Sequence, residues 1–245
     1  MSDQKIQRWS IAICSFVIAA SFGGICALGI ELEPQRALAN SNVPEPQEAA
    51  DTREEDREAS KPIAWGDLPQ PPPEILKLIG GHELEFSYGP EDRIRRTEQG
   101  WLIEAETRFR FSYDYSIRYR TQRADDSSRA TVRFPRLELK RSHEIWFRRL
   151  PDLQKFWSDR LVLHELEHFR ISSDPRIESR FLSGVKKLDR LSFATGGDVQ
   201  SELKDLVRKH VQETFSRLVD EVRVRYVELD RITQHGRVPL ERTED

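Results

Sequence analysis

Residues 107–121, with the sequence TRFRFSYDYSIRYRT, alternate apolar and polar side chains without a break. The apolar positions are Phe109, Phe111, Tyr113, Tyr115, Ile117 and Tyr119. Successive side chains of a strand point to opposite faces of a sheet, so this period of two predicts a long, half-buried antiparallel strand or the arm of a hairpin.

The opposite face of this predicted strand carries Arg108, Arg110, Arg118 and Arg120. No aromatic side chain stands among these arginines to stack bases, and the formal net charge of the whole chain is only -3. A solvated strand face is therefore favoured over a nucleic-acid surface. We expect no nucleic-acid partner.

Further strands are predicted on both sides of this one, at residues 82–88 and 101–106 before it and at 130–140 after it. The stretch between the long strand and the return strand, RADDSSR at residues 123–129, predicts a turn. Pro135 cannot donate a hydrogen bond to a ladder, so the return strand is expected to be an edge strand or to be interrupted there.

After Pro151 the apolar period becomes helical. We predict three helices: one over residues 152–172, one from Asp174-Pro175 to before residue 195, and one from Val199 to before Gly236. The third keeps an apolar stripe at Leu203, Val207, Val211, Phe215, Leu218, Val222, Tyr226 and Leu229, and its length makes a coiled coil an alternative. Strands followed by helices predict an α+β fold with a short antiparallel sheet and three helices.

The N-terminal region contains a run of twenty uncharged residues, 11–30, preceded by Lys5 and Arg8. Its length is typical of a membrane-spanning helix, whereas the small residues of Ala37-Leu38-Ala39 also permit cleavage of a signal peptide. Both alternatives export the rest of the chain, so we predict an extracytoplasmic protein that is either membrane-anchored or secreted. Residues 1–39 form this targeting region.

A compositional boundary separates this region from the folded domain. Residues 41–60 contain seven acidic residues against two arginines and no aromatic residue. With the proline-rich stretch that follows, they predict a disordered linker over residues 40–74 and a folded domain over residues 75–240. Both cysteines, Cys14 and Cys26, lie in the hydrophobic run, so a metal site in the domain must use His, Asp or Glu.

The first predicted helix contains the sequence His164-Glu165-Leu166-Glu167-His168. Histidines at i and i+4 project from one face of a helix and can bind one zinc ion, while the glutamate after the first histidine can take a proton from water. Steps of three and four from Leu161 reach His164 and His168, so both are predicted to face the core. A pair of core histidines without metal is the alternative.

A catalytic zinc site needs a third protein ligand. His235 lies at the end of the third predicted helix, just before Gly236, although a histidine there is also favoured by the helix dipole. Asp174 and Glu178 are alternative oxygen ligands, and Asp174 is also a good helix cap.

The two histidine-containing segments together resemble an uncharacterised bacterial family of predicted secreted zinc-dependent proteases. That family has a helix of the form H-E-x-x-H-F-x-I and a C-terminal segment like Y-D-x-E-T-x-H-G. This chain matches the first at His164, Glu165, His168, Phe169 and Ile171, and the second at Asp230, Thr233, His235 and Gly236. Leu229 and Ile232 stand where the family has tyrosine and glutamate.

The resemblance implies a zincin-like peptidase domain, with His164, His168 and His235 holding Zn²⁺ and Glu165 acting as general base. The expected function is an exported or membrane-tethered zinc metallopeptidase acting on a peptide or protein substrate. The alternative is a non-catalytic envelope protein that acts as a tethered interaction module through its long C-terminal helix.

Overall fold

The computed structural model describes residues 6–7, 60–90, 96–97, 100, 102–124, 127–194 and 198–239 of the chain. They form an α+β fold with a six-stranded mixed sheet and four α-helices in the described part of the chain. The helices pack on one face of the sheet, because most apolar positions of the strands point to that side.

A long hairpin forms the centre of the sheet. Strand β4 (Ala105–Ala124) has 20 residues and strand β5 (Ser127–Phe147) has 21. Their register runs from Ala105 opposite Phe147 to Ala124 opposite Ser127. The long strand predicted from the alternating pattern is confirmed. The hairpin is longer than predicted at both ends. At one end its ladder continues into the stretch assigned to the turn, and at the other end it continues to Phe147.

Pro135 lies at an irregularity of this hairpin. The register shifts between Ser116 and Arg118, where Ile117 lies opposite the stretch that contains Phe134 and Pro135. Beyond β4, the described neighbours of β5 pair only with its two ends, residues 127–131 and 142–147. The expected edge or interruption at Pro135 is therefore confirmed. A bulge lies there, and on the side of β5 away from β4 this stretch pairs with no described strand.

Three of the shorter strands flank the hairpin. Strand β3 (Glu83–Tyr88) runs parallel to the end of β5, and β2 (Lys61–Ile63) pairs antiparallel with β3. Strand β6 (Arg190–Ala194) pairs with the start of β5. The prediction of an antiparallel sheet is therefore wrong in one respect, because β3 pairs with β5 in parallel and the sheet is mixed. The predicted run of helices is also interrupted, because β6 lies between the second and third predicted helices.

One further strand, β1 (Ile6–Gln7), pairs with β4 at Arg118 and Ile117. Residues 11–30, the predicted anchor or signal peptide, lie outside the described residues. Within the part of the chain that is described, no helix is both long enough and apolar enough to cross a membrane.

The helices are α1 (Pro73–Ile79), α2 (Arg160–Ser173), α3 (Pro175–Lys186) and α4 (Val199–Thr233). The first predicted helix, 152–172, is divided in the structure. A 3-10 turn occupies Leu153–Ser158, and α2 begins only after Asp159, whose backbone is extended. The third predicted helix is confirmed over almost its full length.

Two apolar clusters form the core. One lies between the hairpin and helices α3 and α4, and it contains most of the apolar stripe of α4. Every member of that stripe is buried, from Leu203 at 0% exposure to Leu229 at 5%. The stripe therefore packs within the chain, which removes the basis for a coiled coil through it. The second cluster lies between α2, α1 and strands β2, β3 and β5.

The predicted linker boundary at residue 74 lies inside the fold. Ile63 in β2 is buried, and the ring of Trp65 stacks on that of Trp157 at a centroid distance of 6.1 Å. The Nε1 group of Trp157 donates to the carbonyl of Pro69 at 2.6 Å. The proline-rich stretch is thus held against the 3-10 turn before α2, because Trp157 in that turn contacts both Trp65 and the Pro69 carbonyl.

Candidate metal centre

Helix α2 places two histidines on its buried face. Asp159 is the N-cap, and its carboxylate accepts from the backbone N–H of Leu161 at 2.8 Å and of Val162 at 3.3 Å. From this start, His164 and His168 lie one turn apart, with exposures of 8% and 4%. Their ring centroids are 4.7 Å apart. The prediction that both face the interior is confirmed.

Helix α4 brings a carboxylate to the same point. Asp230 Oδ1 lies 3.1 Å from His164 Nε2 and 3.0 Å from His168 Nε2. One donor atom from each of these three residues lies within 4.8 Å of the others, and all three residues are buried. Two helices that are distant in sequence therefore converge on one small volume lined by two imidazoles and a carboxylate.

This donor set suits a zinc ion. Zinc binds imidazole nitrogen and carboxylate oxygen at about 2.0–2.2 Å, so two ligand atoms on a tetrahedral ion are roughly 3.3 Å apart. The nitrogen–oxygen distances of 3.0 and 3.1 Å are only slightly shorter than that separation. A small outward movement of the Asp230 side chain would admit the ion.

Thr233 favours the tautomer of His164 that carries its proton on Nδ1. The single hydroxyl proton of Thr233 is donated to the carbonyl of Leu229 at 2.7 Å. Thr233 Oγ1 can then only accept from His164 Nδ1, which lies 3.5 Å away. With the proton on Nδ1, the Nε2 atom has its lone pair available for a metal, which is the usual outer-shell arrangement of a histidine ligand.

His168 is oriented differently. Its Nδ1 atom is buried and has no hydrogen-bond partner among the described residues. The ring packs against that of Tyr226 with a centroid distance of 4.4 Å, and the Tyr226 hydroxyl donates to Ser172 Oγ at 2.8 Å. Burial raises the pKa of Tyr226, so this phenol stays neutral. On its Nδ1 side the His168 ring is therefore held by packing, whereas its Nε2 side contacts Asp230.

Without metal, the contact between His164 and Asp230 favours the charged form of both groups. Burial tends to raise the pKa of Asp230, but the hydrogen bonds and charges of His164 and His168 lower it well below its usual range. Burial tends to lower the pKa of His164, but the hydrogen bond to Asp230 and the charges of Glu165 and Asp230 raise it above its usual value. A protonated His164 then donates to Asp230 through Nε2.

The predicted third ligand, His235, lies next to this group but outside it. Its Nδ1 atom is 3.6 Å from Asp230 Oδ1, and 27% of its side chain is exposed. Its backbone N–H donates to the carbonyl of Asp230 at 2.9 Å. The structure therefore groups Asp230, and not His235, with the two histidines of α2, because Asp230 lies on the buried side of the last turn of α4.

The alternative ligands Asp174 and Glu178 have other partners. Asp174 caps α3 by accepting from the backbone N–H of Arg176 at 2.9 Å, and its Oδ2 lies 2.7 Å from the guanidinium of the same arginine. Glu178 accepts from Arg141 at 3.2 Å. Neither belongs to the buried group. Of the two roles considered for Asp174, the structure shows the cap.

Glu165, the predicted general base, is also buried, at 4% exposure. The hydroxyl of Thr107 in β4 lies 2.8 Å from Glu165 Oε2 and 2.8 Å from the Glu165 carbonyl oxygen. The strand thus positions the carboxylate from the side opposite to α4. Glu167 forms an ion pair with Arg170 on the outer side of α2, at 3.2 Å.

These groups line a cleft of about 200 Å³. Its walls come from the start of β4 and the residues before it, from α2, and from the end of α4. They include Glu165, His164, His168, Asp230 and His235. Leu229 and Ile232, the two departures from the family segment, do not line it: Leu229 is buried in the core and Ile232 is 44% exposed.

No protein-family model, no curated protein and no solved structure matches the chain. The similarity to the secreted zinc proteases therefore remains a resemblance of two short motifs.

Sequence reasoning did not assign a role to Asp230, although the residue is part of the second motif. A pattern in α4 could have indicated it. Asp230 follows Tyr226 by four residues and precedes Thr233 by three, so it lies on the buried stripe of the helix. An acidic residue on an apolar stripe requires a buried partner, and His164 and His168 supply it.

Proposed function

We propose that this chain is an exported or membrane-tethered zinc-dependent metallopeptidase. His164, His168 and Asp230 are the proposed metal ligands, and Glu165 is the proposed general base. The observation that carries the proposal is the buried convergence of two imidazole nitrogens and one carboxylate oxygen beside Glu165, at the wall of a cleft.

The bound zinc ion would supply Lewis-acid polarisation of water and of the substrate carbonyl. Glu165 is placed to accept the proton of the attacking water and to return it to the leaving amine. Thr107 holds the Glu165 carboxylate, and Thr233 holds the His164 ring. His235, at the rim of the cleft, is placed to donate a hydrogen bond to the oxyanion that develops on the substrate.

Export would separate β1 from the sheet. A cytoplasmic N-terminus or a removed signal peptide leaves Ile6–Gln7 on the other side of the membrane from β4, so the two-residue pairing cannot form in the exported protein. N-terminal sequencing of the mature protein, with protease accessibility in intact cells, tests this part of the proposal. An intact N-terminus on the same side as the domain would contradict it.

The catalytic assignment is tested by a matched pair of carboxylate-to-amide substitutions in the full-length chain. Glu165→Gln should retain stoichiometric zinc and lose hydrolysis of a peptide library by at least ~100-fold, since general base catalysis contributes about 10²–10⁴-fold. Glu167→Gln, two residues further along the same helix, should retain both. Equal loss of hydrolysis in the two variants, or unchanged hydrolysis in Glu165→Gln, would contradict the assignment.

The ligand set is tested by metal content. His164→Ala and Asp230→Ala should each lose zinc, whereas His235→Ala should retain it and lose only activity. His210→Ala is the control, since this α4 histidine contacts the Gly184 carbonyl at 3.1 Å, away from the centre. Retention of zinc in Asp230→Ala with its loss in His235→Ala would restore the ligand set that the sequence motifs suggested.

The hydrogen bonds that Asp230 can accept from both histidines also favour a second candidate, a non-catalytic domain. In such a protein the carboxylate satisfies both imidazoles and no metal is required. A purified wild-type chain with no stoichiometric zinc, whose stability is unaffected by a chelator, would establish this alternative.

A further inference from the structure

The far end of the hairpin carries a basic surface that the proposed catalytic function does not use. Arginines at five positions of three adjacent strands define this basic patch, namely Arg118 and Arg120 in β4, Arg129 and Arg133 in β5, and Arg190 in β6. All five residues are exposed. Arg118 lies opposite Arg133, and Thr131 lies between Arg120 and Arg190.

The members of the patch share one face of the sheet. The apolar residues that alternate with them, such as Ile117, Ala130 and Val132, are buried against α3 and α4. The arginines therefore point away from the helices. The remaining outward positions in these rows are Gln122, Thr131 and Ser192, so no acidic side chain stands among the described positions of the patch.

This arrangement differs from that of the other charged residues on the same face. Nearer the middle of the hairpin, Arg136 pairs with Glu138 at 3.0 Å and Lys140 pairs with Asp114 at 3.2 Å. The patch concentrates positive charge on a chain whose formal net charge is -3. Like charges at cross-strand positions repel one another, so the arrangement costs stability unless an anionic surface neutralises it.

A broad, flat anionic surface fits the patch better than a nucleic acid does. The patch lies on an open sheet face and not in a groove, and no aromatic side chain stands among its outward residues to stack on bases. Anionic lipid headgroups attract clusters of Lys and Arg by Coulomb forces within about a Debye length, on whichever face of the membrane those lipids lie. The uncharged residues 11–30 are the predicted membrane segment of this chain.

The chain between the hydrophobic run and the fold is long enough for this contact. Lys61, where the linker joins the sheet, lies opposite Tyr88, and Tyr88 lies opposite Phe147 at the end of β5. Arg133 lies in the same strand, roughly 45 Å from Phe147 at a rise of 3.3 Å per residue. The residues between Ile30 and Lys61 reach on the order of 100 Å when fully extended. A tethered domain can therefore lie with this face on the bilayer.

We propose that the basic patch is a docking surface for anionic lipid headgroups, which orients the domain on the membrane to which it is tethered. This inference rests on the proposed membrane tether and not on the metal centre.

The full-length chain can be tested by chemical modification of arginine with phenylglyoxal, with the labelled peptides identified by mass spectrometry. Vesicles of phosphatidylcholine alone are compared with vesicles of equal parts phosphatidylcholine and phosphatidylglycerol. The five patch arginines should be modified roughly fivefold more slowly in the anionic vesicles, and high salt should remove the difference. Arg208, Arg217 and Arg231, which are exposed on α4, are the internal controls and should react equally in both.

Equal modification of the patch in the two kinds of vesicle would overturn the proposal. Slow modification in both kinds, relieved by deletion of residues 41–59, would also overturn it and would identify the acidic linker as the occupant. Protection by added single-stranded RNA but not by anionic vesicles would assign the patch to nucleic acid instead. The variant Arg118→Gln/Arg120→Gln/Arg133→Gln should abolish the lipid-dependent protection of Arg129 and Arg190, whereas Arg208→Gln/Arg217→Gln/Arg231→Gln should leave it intact.

Discussion

Gly236 lies in direct contact with a proposed metal ligand. Its φ of 74° is in the left-handed region, and a Cβ added there would lie 2.7 Å from His164 Cγ and 2.9 Å from its Cβ. Its carbonyl accepts from the Arg160 guanidinium, so the segment after α4 is held against the start of α2. Glycine is needed at this position for both conformation and space.

We expect Gly236→Ala to displace the His164 ring and to weaken zinc binding by at least ~10-fold, because outer-shell changes typically cost 10–100-fold in metal affinity. Competition with a fluorescent chelator measures the affinity. Gly66→Ala is the control, since a Cβ there meets nothing within 4 Å. Unchanged zinc affinity in Gly236→Ala would show that the contact does not position the ligand.

His143 is a third buried histidine, away from the proposed metal centre. It lies in β5 at 3% exposure, and its ring centroid is 4.8 Å from that of Phe169. Burial lowers the pKa of His143 from 6.5 to about 3. This histidine is neutral in the folded protein at neutral pH.

His143 should make the protein less stable in mild acid. Its folded pKa lies below its unfolded value, so between pH 6.5 and about 3 the unfolded chain binds more protons and stability falls as the pH falls. The slope from this one group approaches about 1.4 kcal/mol per pH unit. Urea denaturation of wild type and His143→Leu, both with chelator, should give pH profiles that diverge below pH 6.5; parallel profiles would contradict the assignment.

At the scale of the element, the start of α2 determines where the histidines point. The 3-10 turn before it ends at Ser158, and Asp159 caps the new helix with two hydrogen bonds. The sequence pattern predicted one continuous helix from residue 152, whereas the extended backbone of Asp159 separates the 3-10 turn from α2. The break at Asp159 lets Phe156 and Trp157 fill the second cluster while His164 faces α4.

We expect Asp159→Ala to lower the free energy of unfolding by about 1 kcal/mol, the usual cost of losing an N-cap, and Asp159→Asn to restore most of it. Urea denaturation measures the change. Asp205→Ala, within α4 and paired only with Arg208 at its surface, is the matched control and should change stability by less than about 0.5 kcal/mol. Equal effects of Asp159→Ala and Asp205→Ala would argue against the cap.

At the scale of the whole molecule, a metal ion would join α2 to the end of α4. These two helices begin at Arg160 and Val199 and are separated in sequence by α3 and β6. A ligand that binds only the folded state stabilises it by about 2.7 kcal/mol at 100 times its Kd. Zinc would therefore act as a tertiary cross-link as well as a catalytic group.

Removal of zinc with a chelator should lower the Tm of the wild-type protein by roughly 5–10 °C, a shift typical of this free energy in a domain of 150–250 residues. His164→Ala should show no response to the chelator, whereas Glu167→Gln should respond as wild type does. Differential scanning calorimetry measures both. An unchanged wild-type Tm would support the non-catalytic alternative.

Several features followed from the sequence alone because they depend on residues close together in the chain. Alternation at a spacing of two determined the long strand of residues 107–121, and a spacing of four placed His164 and His168 on one buried face. Pro135 predicted the irregularity of β5 because proline lacks the N–H group that a ladder hydrogen bond needs, whatever lies elsewhere in the chain. Residues 11–30 and the proposed function stay predictions.

The tertiary structure decided what depends on distant residues. The parallel pairing of β3 with β5, the folding of residues 60–74 onto the 3-10 turn before α2, and the insertion of β6 all require partners elsewhere in the chain. The same is true of Asp230, whose carboxylate meets His164 from 66 residues away. No spacing rule connects these residues, because the packing of α4 on the sheet sets their distance.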